Sequence, residues 1–270
     1  MEKLHHELLI VQWVNAIFGP AVAALLRPLG ITFQPGQNVI PDFVVMSVLI
    51  FVAVSSLAIF LRSRLSVEQP GALQILLEDL VDGLRGMMTD YIGPKGPRYL
   101  SLVGTLGVFI LLGNLMGLVP GLMAPTSNIN VTLGCAITSF VYYQIQGFRD
   151  QGVKHYLLHF ARPSGAPIWI APIYLPIEII SHFSRILSLS VRLFGNIFGE
   201  ELVILILFSI VPFLVPLPMM FLGIITGTLQ AFIFVMLTII YLSGAVAVED
   251  EHEGGHHGAE PAAKAAAHAA

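Results

Sequence analysis

The feature that most limits how this chain can fold is a set of apolar stretches long enough to cross a lipid bilayer. PDFVVMSVLIFVAVSSLAIFL, residues 41–61, contains one charged residue, and YLSLVGTLGVFILLGNLMGLV, residues 99–119, contains none. A helix rises about 1.5 Å per residue, so about 20 apolar residues cross a hydrocarbon layer of about 30 Å. Of the 270 residues, 56% are hydrophobic and 11% are charged. The sequence therefore predicts an all-α integral membrane protein.

Three further stretches bring the expected number of crossings to about five. Residues 130–148 are shorter and more polar, whereas residues 177–210 and 219–248 are longer than a bilayer requires and flank the proline-rich VPFLVPLP. As one helix, residues 177–210 would extend roughly 50 Å and would need a tilt of roughly 50°. The alternative is a helix broken at Gly195 or Gly199. We predict about five membrane-crossing units that include a long, tilted C-terminal helical hairpin.

The remaining segments differ from the apolar stretches in composition. Residues 1–40 form a predicted extracytoplasmic segment with an interfacial helix, and residues 41–248 form the predicted membrane domain. Within that domain, residues 66–92 alternate apolar and acidic side chains at helical spacing, which indicates an amphipathic surface helix. Residues 249–270 are polar and aperiodic, so we predict a disordered cytoplasmic tail.

The basic residues indicate how the chain is oriented. Lysine and arginine concentrate in the cytoplasmic loops of membrane proteins. Residues 120–129 and 211–218 contain neither. The loops that would face the other side carry Arg62, Arg64, Arg85, Lys95, Arg98, Arg149, Lys154 and Arg162. We therefore predict that the N-terminus is outside and the C-terminus is in the cytoplasm.

Arg192 lies in the middle of the largely apolar segment SRILSLSVRLFGNIFGEE, residues 184–201. A centrally placed arginine costs at least about 2.5 kcal/mol to insert into a membrane, and so it indicates a function. An ion pair within the same helix is unfavourable, because Glu200 and Glu201 lie roughly 12 Å or more along the axis. A structural ion pair with another helix is the alternative.

The helix face that includes Arg192 is small and polar. At helical spacing it carries Ser184, Arg185, Ser188, Asn196 and Gly199, with Glu178 about 40° off the same line. Small side chains let another helix approach closely. The other carboxylates of the chain's membrane segments are few and badly placed for Arg192. The sequence therefore predicts a second protein that offers a carboxylate on an external helix.

Several segments together resemble a known family. SLSVRLFGNIFGEELVILIL and LQAFIFVMLTIIYLSGAV closely resemble the paired signature segments of subunit a of rotary F-type ATP synthases. NLMGLVPG, SNINVTLG, PDFVVMSVLIF and LSVEQPGALQ are similar to earlier segments of that family, so the resemblance covers roughly residues 35–248. It implies two long tilted helices against a rotating ring of c subunits, and two offset aqueous half-channels. It also implies peripheral-stalk b subunits and the remainder of the ATP synthase complex as partners.

The resemblance also implies roles for individual residues. Arg192 matches the family's indispensable arginine. Asn114, Asn196, Glu201 and Gln230 match polar residues near the proton path, and Asp42 matches an acidic residue near the outer mouth. Glu178 and Ser188 match residues linked to the cytoplasmic access route. His182 also lies near the proton path, although a buried neutral histidine with a satisfied hydrogen bond is the other interpretation.

The sequence departs from the family pattern at two glycines. Gly117 stands where some members have an aspartate, and Gly223 stands where many have a histidine or acidic residue facing the position of Glu201. The neighbouring Glu200 is a candidate to compensate. From the sequence we expect Glu201 to handle protons beside water in the space left by Gly223, and Glu200 to face lipid headgroups or a neighbouring helix.

The resemblance implies a non-catalytic, proton-translocating subunit in the lipid bilayer of a bacterial plasma membrane, with no cofactor, no metal and no nucleic acid. The chain has no phosphate loop of the G-x-x-x-x-G-K-[ST] type. A secondary transporter that holds an anion at Arg192 is a second possibility, but no internal repeat is visible. A purely structural subunit is a third, but it would not need the charged stripe. Protons are favoured over Na⁺ because no dense cluster of oxygen ligands is visible.

Overall fold

The computed structural model describes residues 9–26, 28, 38–66, 70–119, 122–152, 156, 171–210 and 214–246, and every regular element in these ranges is helical. The helices are α1 (Leu9–Leu26), α2 (Asp42–Arg62), α3 (Ala72–Ile92), α4 (Leu100–Met116), α5 (Ile129–Gln151), α6 (Ala171–Ile210) and α7 (Pro216–Val246). Short 3₁₀ turns at Gly96–Tyr99 and Pro125–Ser127 precede α4 and α5. The predicted all-α membrane fold is confirmed.

Four of the expected crossing units are long and apolar enough to span a membrane. They are Asp42–Arg62, Gly96–Met116, Pro172–Ile210 and Pro216–Val246. The fifth unit, α5, is helical over 23 residues but is not among these spans. Several of its polar side chains are directed inwards, because α5 packs against both α6 and α7 and buries Thr132, Ser139 and Tyr143. A helix that is covered by protein has less need of an apolar surface.

Helix α6 is a single unbroken helix of 40 residues. At 1.5 Å per residue it is about 60 Å long, roughly twice the thickness of a hydrocarbon layer. The alternative break at Gly195 or Gly199 is wrong, since both lie inside the helix. The expected start at residue 177 is also wrong: the helix begins at Ala171 and includes Pro176 near its N-terminus. Its tilt in the bilayer stays a prediction.

The core lies where α4, α5, α6 and α7 meet. Leu189, Leu193 and Ile197 of α6 recur every four residues and pack with Ala231 and Phe234 of α7. The remaining buried members of this cluster are Ile110, Ala124, Cys135 and Ala136. Helix α4 approaches α7 closely, because a Cβ atom at Gly107 would lie 2.7 Å from Cγ2 of Val235. Helix α7 is therefore the central element.

The peripheral helices attach to this core in different ways. Helix α3 begins at Ala72 rather than residue 66, and its far half packs Leu84 and Met88 beside α4 and α7. Helix α1 is joined to the start of α2 by Asn15, whose Nδ2 donates to the Ile40 carbonyl at 3.0 Å and whose Oδ1 accepts from the Ile40 amide at 2.8 Å. The tail predicted at residues 249–270 lies outside the described residues, and the domain boundaries and membrane sidedness stay predictions.

The packing of α6 generates a stability prediction. Leu193→Ala removes a fully buried side chain, and we expect it to destabilise the protein by about 2–5 kcal/mol. Leu187→Ala on the same helix is the matched control, because Leu187 is 55% exposed. The measurement is the thermal unfolding midpoint of the detergent-solubilised protein. Equal midpoints for the two variants would contradict the assignment of the buried face.

Candidate functional site

Helix α6 has two opposite faces. The first is the buried leucine and isoleucine face that forms the core, and the second is exposed and carries Arg192. On this exposed face a Cβ atom at Gly195 or Gly199 would meet nothing within 4 Å. Apolar and small side chains line a surface groove that leads towards Arg192, namely Ile180, Phe183, Ser184, Leu187, Ser188 and Val191. The face is thus open to close approach by another helix.

Within the described part of the chain, Arg192 makes one polar contact, in which Nη2 donates to Ser188 Oγ at 3.4 Å. Among the ion pairs of the described residues, none involves Arg192. The alternative of a structural ion pair with Glu200 or Glu201 is therefore not realised. An exposed guanidinium without a carboxylate, in a helix apolar enough to span a membrane, is a charge that still needs a partner.

A part-buried hydrogen bond joins α6 to α7 one turn beyond Arg192. Asn196 Nδ2 donates to Gln230 Oε1 at 2.8 Å. Gln230 is only 2% exposed, and its Nε2 is a buried donor without a protein partner. The sequence prediction placed both residues near one path, and the structure brings them together.

A second buried amide lies nearby on α4. Asn114 is 4% exposed, and its Nδ2 donates to the Gly227 carbonyl of α7 at 2.9 Å. Its Oδ1 is a buried acceptor without a protein partner. Gly227 permits this approach, because a Cβ atom there would lie 3.2 Å from Cβ of Asn114. Buried polar atoms of this kind are typically satisfied by ordered water.

Glu200 enters the contact between α6 and α7. Its Oε2 accepts a hydrogen bond from Thr226 Oγ1 at 2.9 Å. A Cβ atom at Gly223 would lie 1.7 Å from Glu200 Oε1, so the carboxyl group fills the space that this glycine leaves. The expectation of open space for water beside Gly223 is therefore wrong. Glu201 is the next residue of α6 and is half-buried.

A separate polar cluster lies roughly three to four turns before Arg192 on α6. Glu178 Oε1 lies 3.3 Å from His182 Nε2, and His182 Nδ1 lies 3.1 Å from the Tyr143 hydroxyl of α5. One turn further along, the Arg185 guanidinium stands 5.2 Å from the centroid of the Tyr241 ring of α7. Arg185 therefore interacts with an aromatic ring inside the helix bundle.

Apart from Glu201 and Asp42, the predicted site residues thus fall into three groups. Arg192 and Ser188 lie on the exposed face of α6, and Glu178 and His182 lie in the polar cluster. The third group occupies the contacts of α7 with α4 and α6 and consists of Asn114, Asn196, Glu200 and Gln230. Asp42 stands apart, half-buried at the first residue of α2. Sequence reasoning missed Tyr143 and Thr226, because a tyrosine or threonine in an apolar helix has no spacing signal of its own.

The described residues contain no group of three or more His, Cys, Asp and Glu side chains placed to hold a metal ion. The polar atoms of the site instead belong mainly to amides, hydroxyls and single carboxylates. Such groups can bind water and pass protons, but they are poor ligands for a transition metal.

Comparison with known proteins supplies the family. The sequence model described as ATP synthase A chain matches residues 44–243. ATP synthase subunit a of Geotalea daltonii is 40% identical over 222 residues, which cover 82% of this chain and 93% of that protein. ATP synthase subunit a of Citrifermentans bemidjiense is 42% identical over 222 residues, with coverage of 82% and 93%. ATP synthase subunit a 1 of Syntrophotalea carbinolica is 44% identical over 204 residues, with coverage of 76% and 84%. With this similarity over most of its length, the chain belongs to the ATP synthase subunit a family.

Proposed function

We propose that this chain is the ion-translocating stator subunit of an F-type ATP synthase and that it carries no catalytic site itself. The proposal rests on the position of Arg192. This arginine is exposed on the small-residue face of a 40-residue apolar helix, and it forms no ion pair with any described residue. A ring of c subunits that offers a carboxylate on each outer helix would supply the missing partner. Peripheral-stalk b subunits and the remainder of the synthase complete the assembly.

The charge of Arg192 explains how rotation is coupled to ion flow. A ring carboxylate that faces lipid must be neutral, because a charged one would be strongly destabilised there. Opposite Arg192 the ionised form is stabilised, so the carboxyl group releases its proton. Arginine keeps its own proton at any working pH. The fixed positive charge therefore blocks direct proton leakage, and the ring must turn.

The other groups of the site support two half-channels that end near Arg192. We assign Asn114, Asn196, Glu200, Glu201 and Gln230 to the outer half-channel, with Asp42 at its mouth. The unpartnered amide atoms of Asn114 and Gln230 suit an ordered water chain between α4 and α7. We assign Glu178, His182 and Ser188 to the cytoplasmic half-channel. Each elementary charge that crosses gains about 2.3 kcal/mol per 100 mV of membrane potential.

The surroundings of the subunit follow from the same proposal. The chain is placed in a bacterial plasma membrane with its N-terminus outside and its C-terminus in the cytoplasm, as its basic residues indicate. The transported ion is the proton rather than Na⁺, because the site consists of separated amides and single carboxylates. We therefore expect ATP to drive the acidification of vesicles that contain the complex when no Na⁺ is added.

Arg192→Ala tests the central charge. We expect ATP synthesis driven by a proton gradient to fall at least about a hundredfold, because the ring carboxylate loses the charge that ionises it. Synthesis is measured in membrane vesicles that contain the assembled complex. Arg149→Ala, at an exposed position at the end of α5, is the control and should keep its rate. Near-normal coupled synthesis by Arg192→Ala would refute the mechanism.

Glu200→Gln tests the carboxylate between α6 and α7. We expect proton-driven synthesis to slow about tenfold or more, since glutamine keeps the shape of the side chain but cannot exchange a proton. Glu201→Gln, measured in parallel, tests the role that the family resemblance implies for Glu201. If Glu200→Gln has little effect and Glu201→Gln a strong one, then the Glu200 carboxyl group is only structural. Glu201 would then be the glutamate that handles protons, as the sequence predicts.

Gly223→Ala tests the contact between Gly223 and Glu200. The new methyl group would overlap the carboxyl group, as the 1.7 Å separation shows, so we expect a lower thermal midpoint and less assembled complex. Glu200→Ala in the same chain removes the closest overlapping atoms and leaves only Leu118 Cδ2 at 2.8 Å, a side-chain end that can shift. The double variant should therefore restore assembly without restoring synthesis. Gly195→Ala is the matched control, because nothing lies within 4 Å of its added Cβ. Failure of the double variant to assemble would contradict the contact.

A further inference from the structure

We propose that Tyr143 of α5 is a positioning residue of the cytoplasmic half-channel: it holds the His182 ring so that Nε2 faces the carboxylate of Glu178. This inference rests on the proposed function, because it assigns Glu178 to a proton path. It adds a residue outside the paired signature segments on α6 and α7. It also gives His182 a defined part, which is to orient the carboxylate.

The geometry is a continuous chain of three side chains. The Tyr143 hydroxyl lies 3.1 Å from His182 Nδ1, and His182 Nε2 lies 3.3 Å from Glu178 Oε1. Tyr143 is 2% exposed and His182 is 7% exposed, whereas 22% of the Glu178 side chain is exposed. The chain therefore leads from a carboxylate that solvent can reach into the contact between α5 and α6.

Packing on α5 restricts the ring of His182. It stacks on the Tyr143 ring at a centroid distance of 6.2 Å and an interplanar angle of 28°. Phe140, one turn earlier on α5, meets the imidazole edge to face at 5.9 Å. Both contacts come from the same helix, so α5 determines the orientation of a side chain that belongs to α6.

The hydrogen-bonding groups then select one tautomer of His182. A neutral phenol can donate its proton to Nδ1, which leaves the ring proton on Nε2. That Nε2–H can donate to the ionised Glu178 carboxylate. The arrangement satisfies the imidazole at both nitrogens and points one Glu178 oxygen at a fixed donor. Without the phenol, Nδ1 loses this donor and the preference for the Nε2–H tautomer is weakened.

Several charged and titratable groups face this chain from the surrounding elements. They are Arg185 and Tyr174 on α6, Tyr241 on α7 and Tyr156 beyond the end of α5. Arg185 acts electrostatically on both Tyr143 and His182. Its position over the Tyr241 ring keeps a positive charge close to the imidazole. The tautomers that the test distinguishes are those of the neutral ring, in which one nitrogen donates and the other accepts.

The test uses Tyr143→Phe in the complete ATP synthase in membranes. Nitrogen NMR of ¹⁵N-histidine-labelled complex, with the His182 signals identified by their loss in His182→Phe, reports which ring nitrogen carries the proton. We expect the native complex to show protonated Nε2, and Tyr143→Phe to reduce that fraction. Coupled ATP synthesis should slow about fivefold, the factor that corresponds to one neutral hydrogen bond. Tyr142→Phe, whose ring packs on Tyr99, is the matched control and should change neither readout.

A double variant separates positioning from a general structural effect. If Tyr143 acts through His182, the combined Tyr143→Phe and His182→Phe chain should be no slower than His182→Phe alone, whereas independent effects would multiply. An unchanged tautomer, an unchanged rate in Tyr143→Phe, or multiplied losses in the double variant would overturn the inference. Arg192→Ala in the same vesicles tests the proposed function separately. Coupled synthesis that survives Arg192→Ala would refute that function, while the tautomer result would still stand on its own.

Discussion

The packing of one face of α6 into the helix bundle is the constraint on which the site depends. Leu189, Leu193 and Ile197 are buried against α5 and α7. Because they recur every four residues, the rotation of α6 about its axis is determined over its central turns. Arg192 therefore has to lie on the outer surface, where the described chain provides no carboxylate. The same apolar contacts that stabilise the bundle expose the charge that the bundle cannot neutralise.

The contacts of α7 with α4 and α6 are close, yet they contain polar side chains. Gly107 on α4 and Gly223 and Gly227 on α7 allow the helices to approach more closely than an added Cβ would permit. Into this close contact the chain places two amides and one carboxyl group, from Asn114, Gln230 and Glu200. Two of their polar atoms have no protein partner. Buried polar groups are destabilising unless they are hydrogen-bonded, so these atoms weaken the contact unless ordered water satisfies them.

The polar cluster of Glu178, His182 and Tyr143 links α6 to α5, the most polar of the helices that pack against α6. Helix α5 supplies the ring of Phe140 and the hydroxyl of Tyr143 to a histidine on α6. Its buried side carries polar groups against two apolar helices, whereas its exposed side is apolar at Ile137, Val141 and Ile145. Helix α5 is not among the apolar spans because its hydropathy is low. The polar side chains that lower its hydropathy include those that it contributes to the site. Polar side chains are stable in a membrane protein where another helix provides their hydrogen-bonding partners.

The sequence by itself determined the helical membrane fold, the long C-terminal hairpin and the place of Arg192 in the middle of an apolar segment. Hydropathy and helical spacing are local properties, so they can be read along the chain. The sequence did not decide whether α6 continues through Gly195, since the cost of a helical glycine is only about 1 kcal/mol and packing can offset it. Nor could it show that Glu200 rather than water occupies the space beside Gly223, or that Tyr143 meets His182. These contacts join residues on different helices, and they depend on the distances and rotations of whole helices. Only the tertiary structure decides those quantities, because they result from the packing of all the helices together.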